Sequence, residues 1–343
     1  MNPDITHHYK LRLTAIGMSL IVATAACTSP QKSAGPDTFK LCYTYPGATS
    51  GVAHYATRAG IFAQHGLVVE ETLVRGTTNV AGALISGEFD ACSTQADVIL
   101  AATLSGSDLA YFLSFFNRNQ AVLMADAAVR GPADLAGKTI VTQLFGSPND
   151  RLTRLYLAKY GVAEDQVEFN EQAAATYSER LAIVLSGNAS ALLVPTIMDA
   201  AIAESKGLKT LVGPKEAGAK DKMASAIAAS RKRMADKRDV YDRFVLAMHE
   251  AAVKMRTDEA GVVASMAEFL KMDAQKDADV LQVGSRALLG EYLDVVPYPS
   301  VEAIAAEMDA LAKKRPEIRD RKPQDFIDVA VLDALVASGR VKK

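Results

Sequence analysis

Short apolar runs alternate with amphipathic stretches over the first two-thirds of this chain, and amphipathic stretches alone fill the last third. Residues 39–45 form a β-run that stops at Pro46-Gly47, and Ser50 is placed to cap a helix ending near Gly60. The next strand covers 67–74, followed by the loop Arg75-Gly76-Thr77-Thr78-Asn79 and a helix over 80–86 closed by Gly87. A strand over 89–93 leads through Thr94-Gln95 into a helix over 97–104, and apolar runs follow at 111–116 and 121–125. The pattern then restarts with a strand over 138–142, the loop 143–150 and a helix over 151–160. Such strand and helix alternation predicts parallel sheets, here in two lobes.

An internal echo supports the division. Residues 84–92 and 184–192 share a helix end, a Ser-Gly cap (Ser86-Gly87 and Ser186-Gly187) and the start of a strand. Two copies at that distance are too few for a solenoid. Residues 223–229 read as a crossover strand, and beyond them helices are expected over 240–256, 258–272, 277–289, 301–314 and 323–338, completing the first lobe or lying across both.

The N-terminus reads as an address. After Lys10 and Arg12 the uncharged run 13–26 is 14 residues long, short of the roughly 18 that cross a bilayer as a helix, and it ends in small residues before Cys27. This is an export signal, and Ala25-Ala26-Cys27 resembles a bacterial lipobox, in which the cysteine is lipidated, with Thr24 where leucine is more usual. The alternative is plain cleavage after Ala23-Thr24-Ala25, leaving Cys27 a free thiol. Residues 28–37 are polar and breaker-rich, as a tether would be. The expected organisation is a signal peptide over 1–26, a tether over 27–37, the first part of lobe 1 over 38–125, lobe 2 over 126–222, and a crossover strand with C-terminal helices over 223–343.

Composition narrows the classes. With 343 residues, 49% hydrophobic and 23% charged, the chain is an ordinary globular protein long enough for two cores. Lys and Arg number 38 against 40 Asp and Glu, and they are spread along the chain, so nucleic acid is not an expected partner. The absence of Trp leaves the stacking of any flat ligand to Tyr or Phe. Cys42 and Cys92 lie in apolar strand-like runs. An oxidising compartment allows them to pair, but buried thiols are the expectation, because neighbouring parallel strands rarely present the geometry a disulfide requires.

Three landmarks occur in order: residues 59–70, beginning Ala59-Gly60-Ile61-Phe62; residues 85–91, beginning Ile85-Ser86-Gly87; and residues 132–140, containing Leu135-Ala136-Gly137-Lys138. As a set they resemble the bacterial solute-binding proteins of ABC importers for sulfonates, taurine, nitrate and thiamine-pyrimidine precursors. The resemblance runs from about residue 39 to 200. It implies an α/β fold of the type II periplasmic binding protein kind, in which two lobes, each a mostly parallel sheet flanked by helices, are joined by two hinge strands and close on a ligand. It also implies an ABC permease with its ATPase as partner, a small-molecule ligand, a monomer, no cofactor and no catalysis. Lipid on Cys27 would hold such a protein to the membrane on the periplasmic or cell-surface side.

The loops suit a binding cleft. In open α/β sheets ligands sit beyond the carboxyl ends of strands, where helix N-termini point at them. The turns at such ends carry Thr49 and Ser50, then Arg75, Thr77 and Thr78, then Thr94 and Gln95, and in the second lobe Phe145, Gly146, Ser147, Asn149 and Thr196. A guanidinium at Arg75 can pair bidentately with a sulfonate, carboxylate or nitrate, or be an ordinary surface Arg. Phe145, Tyr43 and Tyr45 can stack on a flat ring or belong to a core, and His54 can bond a ligand or be structural. The hydroxyl and amide residues can equally be helix caps.

Other chemistries find no support. Gly137-Lys138-Thr139 mimics the end of a P-loop, but Pro132 stands where the earlier Gly is needed. The histidines have no HExxH spacing or Cys companion, no GxSxG elbow occurs, and Asn188-Ala189-Ser190 is a chance sequon. Two alternatives remain beside import: an enzyme of pyrimidine- or menaquinone-precursor synthesis on the same fold, and a ligand-sensing lipoprotein.

Overall fold

The computed structural model of the chain describes residues 35–74, 79–172, 176–217 and 225–342. The first strand, β1 (Asp37–Tyr43), turns Phe39 and Leu41 into one apolar cluster and Cys42 into another, while Thr38 and Lys40 nearer its start stay exposed. It is followed by α1 (Ala48–Arg58), α2 (Ile61–Gln64), β2 (Leu67–Leu73), α3 (Val80–Ser86), β3 (Ala91–Thr94), α4 (Ala96–Leu104) and β4 (Leu109–Leu113). Residues 114–121 then cross to a second sheet. This is built from β5 (Val122–Ala125), β6 (Thr139–Thr142), α5 (Pro148–Lys159), β7 (Glu168–Glu171), α6 (Tyr177–Leu185), β8 (Ala191–Val194), α7 (Ile197–Ser205) and β9 (Lys209–Val212), with the single turn α8 (Pro214–Ala217) after it. The chain re-enters the first sheet as β10 (Ala226–Ser230) and finishes in α9 (Arg231–Asp236), α10 (Arg238–Met255), α11 (Glu259–Leu270), α12 (Ala278–Glu291), α13 (Val301–Leu311) and α14 (Ala330–Ala337).

The strand orders are β2-β1-β3-β10-β4 and β7-β6-β8-β5-β9. They are one order used twice. In each, the fourth strand is antiparallel to both its neighbours, and the first three run parallel. The Ser-Gly echo falls at equivalent places: Gly87 ends α3 before β3 and Gly187 ends α6 before β8, at φ of 77° and 78°. Only glycine adopts that left-handed conformation without strain.

Several expectations are corrected. The run 121–125, which hydrophobicity alone assigns to the first lobe, is β5 of the second sheet, paired along its length with β8. The crossings themselves hold no strand among the described residues; β5 and β10 follow them. The stretch 323–338 is not one helix. A 3₁₀ turn, Pro323–Phe326, buries Phe326, and Ile327 bridges Tyr111 while the Asp328 N–H donates to the Tyr111 carbonyl at 2.9 Å, covering the edge of β4 before α14 begins. Cys42 and Cys92 are joined in a disulfide rather than left as thiols. Parallel register sets them directly opposite one another in β1 and β3, with Cα atoms 4.3 Å apart.

The largest core lies between β1 and α10, where Phe39 stacks on Phe244 at 4.1 Å and Tyr241 meets Phe39 edge-on. The C-terminal helices do not serve the first lobe alone. At Gly284 of α12, an added Cβ would stand 2.7 Å from the Met198 sulfur of α7, so the two helices pack with only glycine between them. Among the described residues no helix is long and apolar enough to cross a membrane.

Candidate functional site

The carboxyl ends of the parallel strands of the first lobe present a line of hydroxyls. Thr44 follows β1, Thr94 closes β3 and Ser114 follows β4, and the pairings Tyr43↔Ser93, Ala226↔Thr94 and Ile227↔Leu113 set them in a row across the sheet. All three hydroxyl oxygens are buried and have no hydrogen-bond partner among the described residues. Each such group costs about 1–3 kcal/mol unless something pairs with it.

Beside this row stands the N-terminus of α1. Gly47 is the cap, and Ser50, expected there, is instead the third helical residue; its hydroxyl accepts from the Gly47 N–H at 3.0 Å. The Thr49 hydroxyl donates to the Ser225 carbonyl at 2.9 Å, tying α1 to the second crossing. The Tyr45 ring folds back over Gly47. Burial pushes its hydroxyl up to about 12, against the lowering effect of the neighbouring Ser225 hydroxyl and with a further rise from Asp199 of the second lobe.

The second lobe offers more charge. Thr196 caps α7, accepting from the Asp199 N–H at 3.1 Å and donating to Asp199 Oδ2 at 2.7 Å. Burial raises the Asp199 carboxyl to about 6, although Thr196 and the charge of Arg180 pull it down. Arg180, only 4% exposed, has its pKa lowered by burial, with Asp199, Tyr177 and Glu179 acting the other way. The Tyr177 hydroxyl donates to the Asp199 carbonyl at 2.8 Å.

The α5 turn is mostly self-satisfied. Ser147 caps the helix by accepting from the Asp150 N–H, the Gly146 N–H donates to Asp150 Oδ2 at 2.9 Å, and Asn149 links the Thr142 hydroxyl to the Leu193 carbonyl. Arg151 donates to the Gly146 carbonyl and reaches Glu307 of α13 at 3.4 Å. Phe145 is 65% exposed, with the Arg154 guanidinium 4.9 Å from its ring centre.

The structure thus brings Thr49, Ser50, Thr94 and Gln95 to one side, with Gly146, Ser147, Asn149 and Thr196 at the corresponding strand ends of the other lobe. Gln95 opens α4 without a side-chain cap, and its carbonyl accepts from the Tyr111 hydroxyl. Arg75, Thr77, Thr78 and Cys27 lie outside the described residues. His54, also raised from sequence, sits on α1 between Glu71 and Glu268 and stacks on Phe269. Sequence reasoning missed Ser114, Gln120, Tyr177, Arg180 and Asp199. Arg180 and Asp199 stand in the first turns of helices, where charged residues ordinarily face water, so no local pattern marks them.

Comparison with known proteins adds the fold and the family. The chain resembles the alkanesulfonate-binding protein SsuA from Xanthomonas axonopodis pv. citri bound to MOPS, with a TM-score of 0.60 and 16% identity over 88% of this chain and 98% of that one. It resembles the periplasmic aliphatic sulphonate binding protein SsuA from Escherichia coli with a TM-score of 0.63 and 16% identity over 86% and 92%. The desulfurization enzyme DszB, solved with biphenyl-2-sulfinic acid, gives 0.64 and 13% over 88% and 99%. At these identities the likeness is one of fold, that of the type II periplasmic binding proteins. No curated protein matches by sequence. The family described as NMT1/THI5 like matches residues 51–259, well over half of the chain, and the protein belongs to that family.

Proposed function

We propose that this chain is the solute-binding subunit of an ABC importer, exported by residues 1–26, tethered through residues 27–37 and anchored by lipid on Cys27, which captures a small polar organic solute between two closing lobes and hands it to a permease. The observation that carries this reading is the set of buried polar groups at the strand ends of the first lobe that have no partner among the described residues: Thr44, Thr94 and Ser114, with Gln120 from the crossing between the lobes. A solute that pairs with them relieves desolvation in the first lobe and the crossing, and the contacts that the second lobe adds on closing favour the closed state over the open one. The contacts proposed around it are Thr49, Ser50, Arg75, Thr77, Thr78, Thr94 and Gln95 from the first lobe and Phe145, Gly146, Ser147, Asn149 and Thr196 from the second. The fold shared with sulfonate-binding proteins and the disulfide of an oxidising compartment are consistent with this role.

The test is thermal unfolding of the full chain against alkanesulfonates, nitrate, carboxylates, pyrimidines and flavins. A solute at about 100 times its Kd adds roughly 2.7 kcal/mol and raises the midpoint. Recovery of that solute unchanged after prolonged incubation supports capture, whereas its conversion would place the protein with the enzymes of this fold. No shift with any class would remove the import reading.

A further inference from the structure

The crossing between the lobes buries a side-chain amide that no atom of the described residues satisfies. Gln120 is 2% exposed, and neither its Oε1 nor its Nε2 has a hydrogen-bond partner among the described residues. Its neighbours are fully engaged. Asn117 donates to the Tyr298 carbonyl at 2.9 Å and accepts from the Ser300 N–H, while Asn119 donates to the Tyr156 hydroxyl at 2.8 Å and accepts from the Ala121 N–H. The register Val122↔Val194 sets Gln120 level with Thr196, where α7 begins, and the unpartnered Ser114 opens the same crossing from the first lobe.

We propose that Gln120 is the specificity-determining group of the cleft, and that the solute it selects carries an amide-like edge, a hydrogen-bond donor and acceptor side by side, as in a lactam or a primary carboxamide. This rests on the solute-binding function put forward above. A carboxamide is two-sided: Oε1 only accepts and Nε2 only donates. A plain alkanesulfonate, which only accepts, pairs with Nε2 and with the hydroxyl row but leaves Oε1 buried and unpaired. A lactam edge meets both atoms in one plane and leaves its remaining groups to Thr94 and Ser114. Sites built around such a pair reject analogues that lack it, because the rejected complex keeps an unsatisfied buried group. Among the described residues nothing uses the amide, and an apolar side chain of equal length would fill the same space without a polar atom to desolvate.

Pyroglutamate and cyclopentanecarboxylate share a five-membered ring and a carboxylate and differ in the lactam edge, so they isolate the effect. Titrated against the full chain by calorimetry, pyroglutamate is expected to bind about 10–100-fold more tightly, and Gln120→Met to erase the difference. Equal affinities in the wild type, tighter binding of ethanesulfonate than of the lactam, or a preference that survives Gln120→Met would each overturn the proposal. A second readout needs no ligand. Ligand-free Gln120→Met should unfold at a higher temperature than the wild type, because an unpaired buried donor and acceptor are gone; a lower midpoint means the fold uses the amide internally, and the proposal fails. If the wild type binds no solute of any class, the import reading falls, and the ligand-free comparison still decides whether Gln120 is held for something outside the fold.

Discussion

The ring of Tyr45 lies so close over Gly47 that a Cβ on the glycine would stand 2.4 Å from the tyrosine Cε2. Gly47 has φ −115°, a conformation open to any residue, so its identity is set by the ring and not by the backbone. Gly47→Ala should therefore lower stability by about 1–3 kcal/mol, as overpacking does, by driving the ring off the α1 terminus. Urea denaturation of Gly47→Ala, Tyr45→Ala and the double variant checks this: the alanine at 47 should be nearly silent once the ring is absent.

Asp199 gives a pH dependence of definite sign. Its carboxyl is raised to about 6 by burial in the folded chain and returns towards its ordinary 3.8 on unfolding. The folded state thus holds a proton that the unfolded state releases, so this group's contribution is most favourable at low pH and declines by about 3 kcal/mol as pH rises through that interval. Asp199→Asn removes the decline. Denaturation at pH 4 and pH 7 should show the variant gaining on the wild type as pH rises, and a difference that stays constant would mean the carboxyl ionises normally.

The Cys42–Cys92 bridge closes a loop of sequence separation 50. Loop-closure entropy assigns it about 4 kcal/mol, so Cys42→Ala with Cys92→Ala should lower the unfolding free energy by nearly that amount. Unfolding in the presence and absence of a reductant is the measurement, with the double variant insensitive to it.

Cys27→Ser should release the protein from the membrane fraction if Cys27 carries the lipid. Retention of the variant in the pellet would end that assignment.

Arg75→Ala is expected to weaken an anionic solute by roughly 10–100-fold, the loss of a charged hydrogen bond. An unchanged Kd by calorimetry would take Arg75 out of the site.

Much of the architecture is legible in the sequence because its signals are local. The strands buried on both faces announce themselves by runs apolar on both faces, as in β8, and Gly87 and Gly187 mark equivalent helix ends because a left-handed φ needs glycine. The strand-end turns follow from the same alternation. What escaped depends on partners distant in sequence. The disulfide exists because β1 lies beside β3, which no local pattern states. The membership of 121–125 depends on pairing with β8, seventy residues on. Gln120 and Arg180 are polar residues in polar-looking surroundings, and only their burial in the assembled fold separates them from surface side chains.

The two lobes are unequal in their dependence on the rest of the chain. All strands of the second sheet come from residues 122–212, whereas the first sheet lacks the strand between β3 and β4 until residues 226–230 are in place. In synthesis from the N-terminus, the second lobe can therefore close its sheet while the first still has a gap at its centre. Both cysteines precede the gap, so their bridge can hold β1 to β3 before β10 arrives to fill it. A chain cut short of residue 226 would keep one sheet whole, though without α12 against α7, and leave the other split, with β4 detached from the strands it belongs beside.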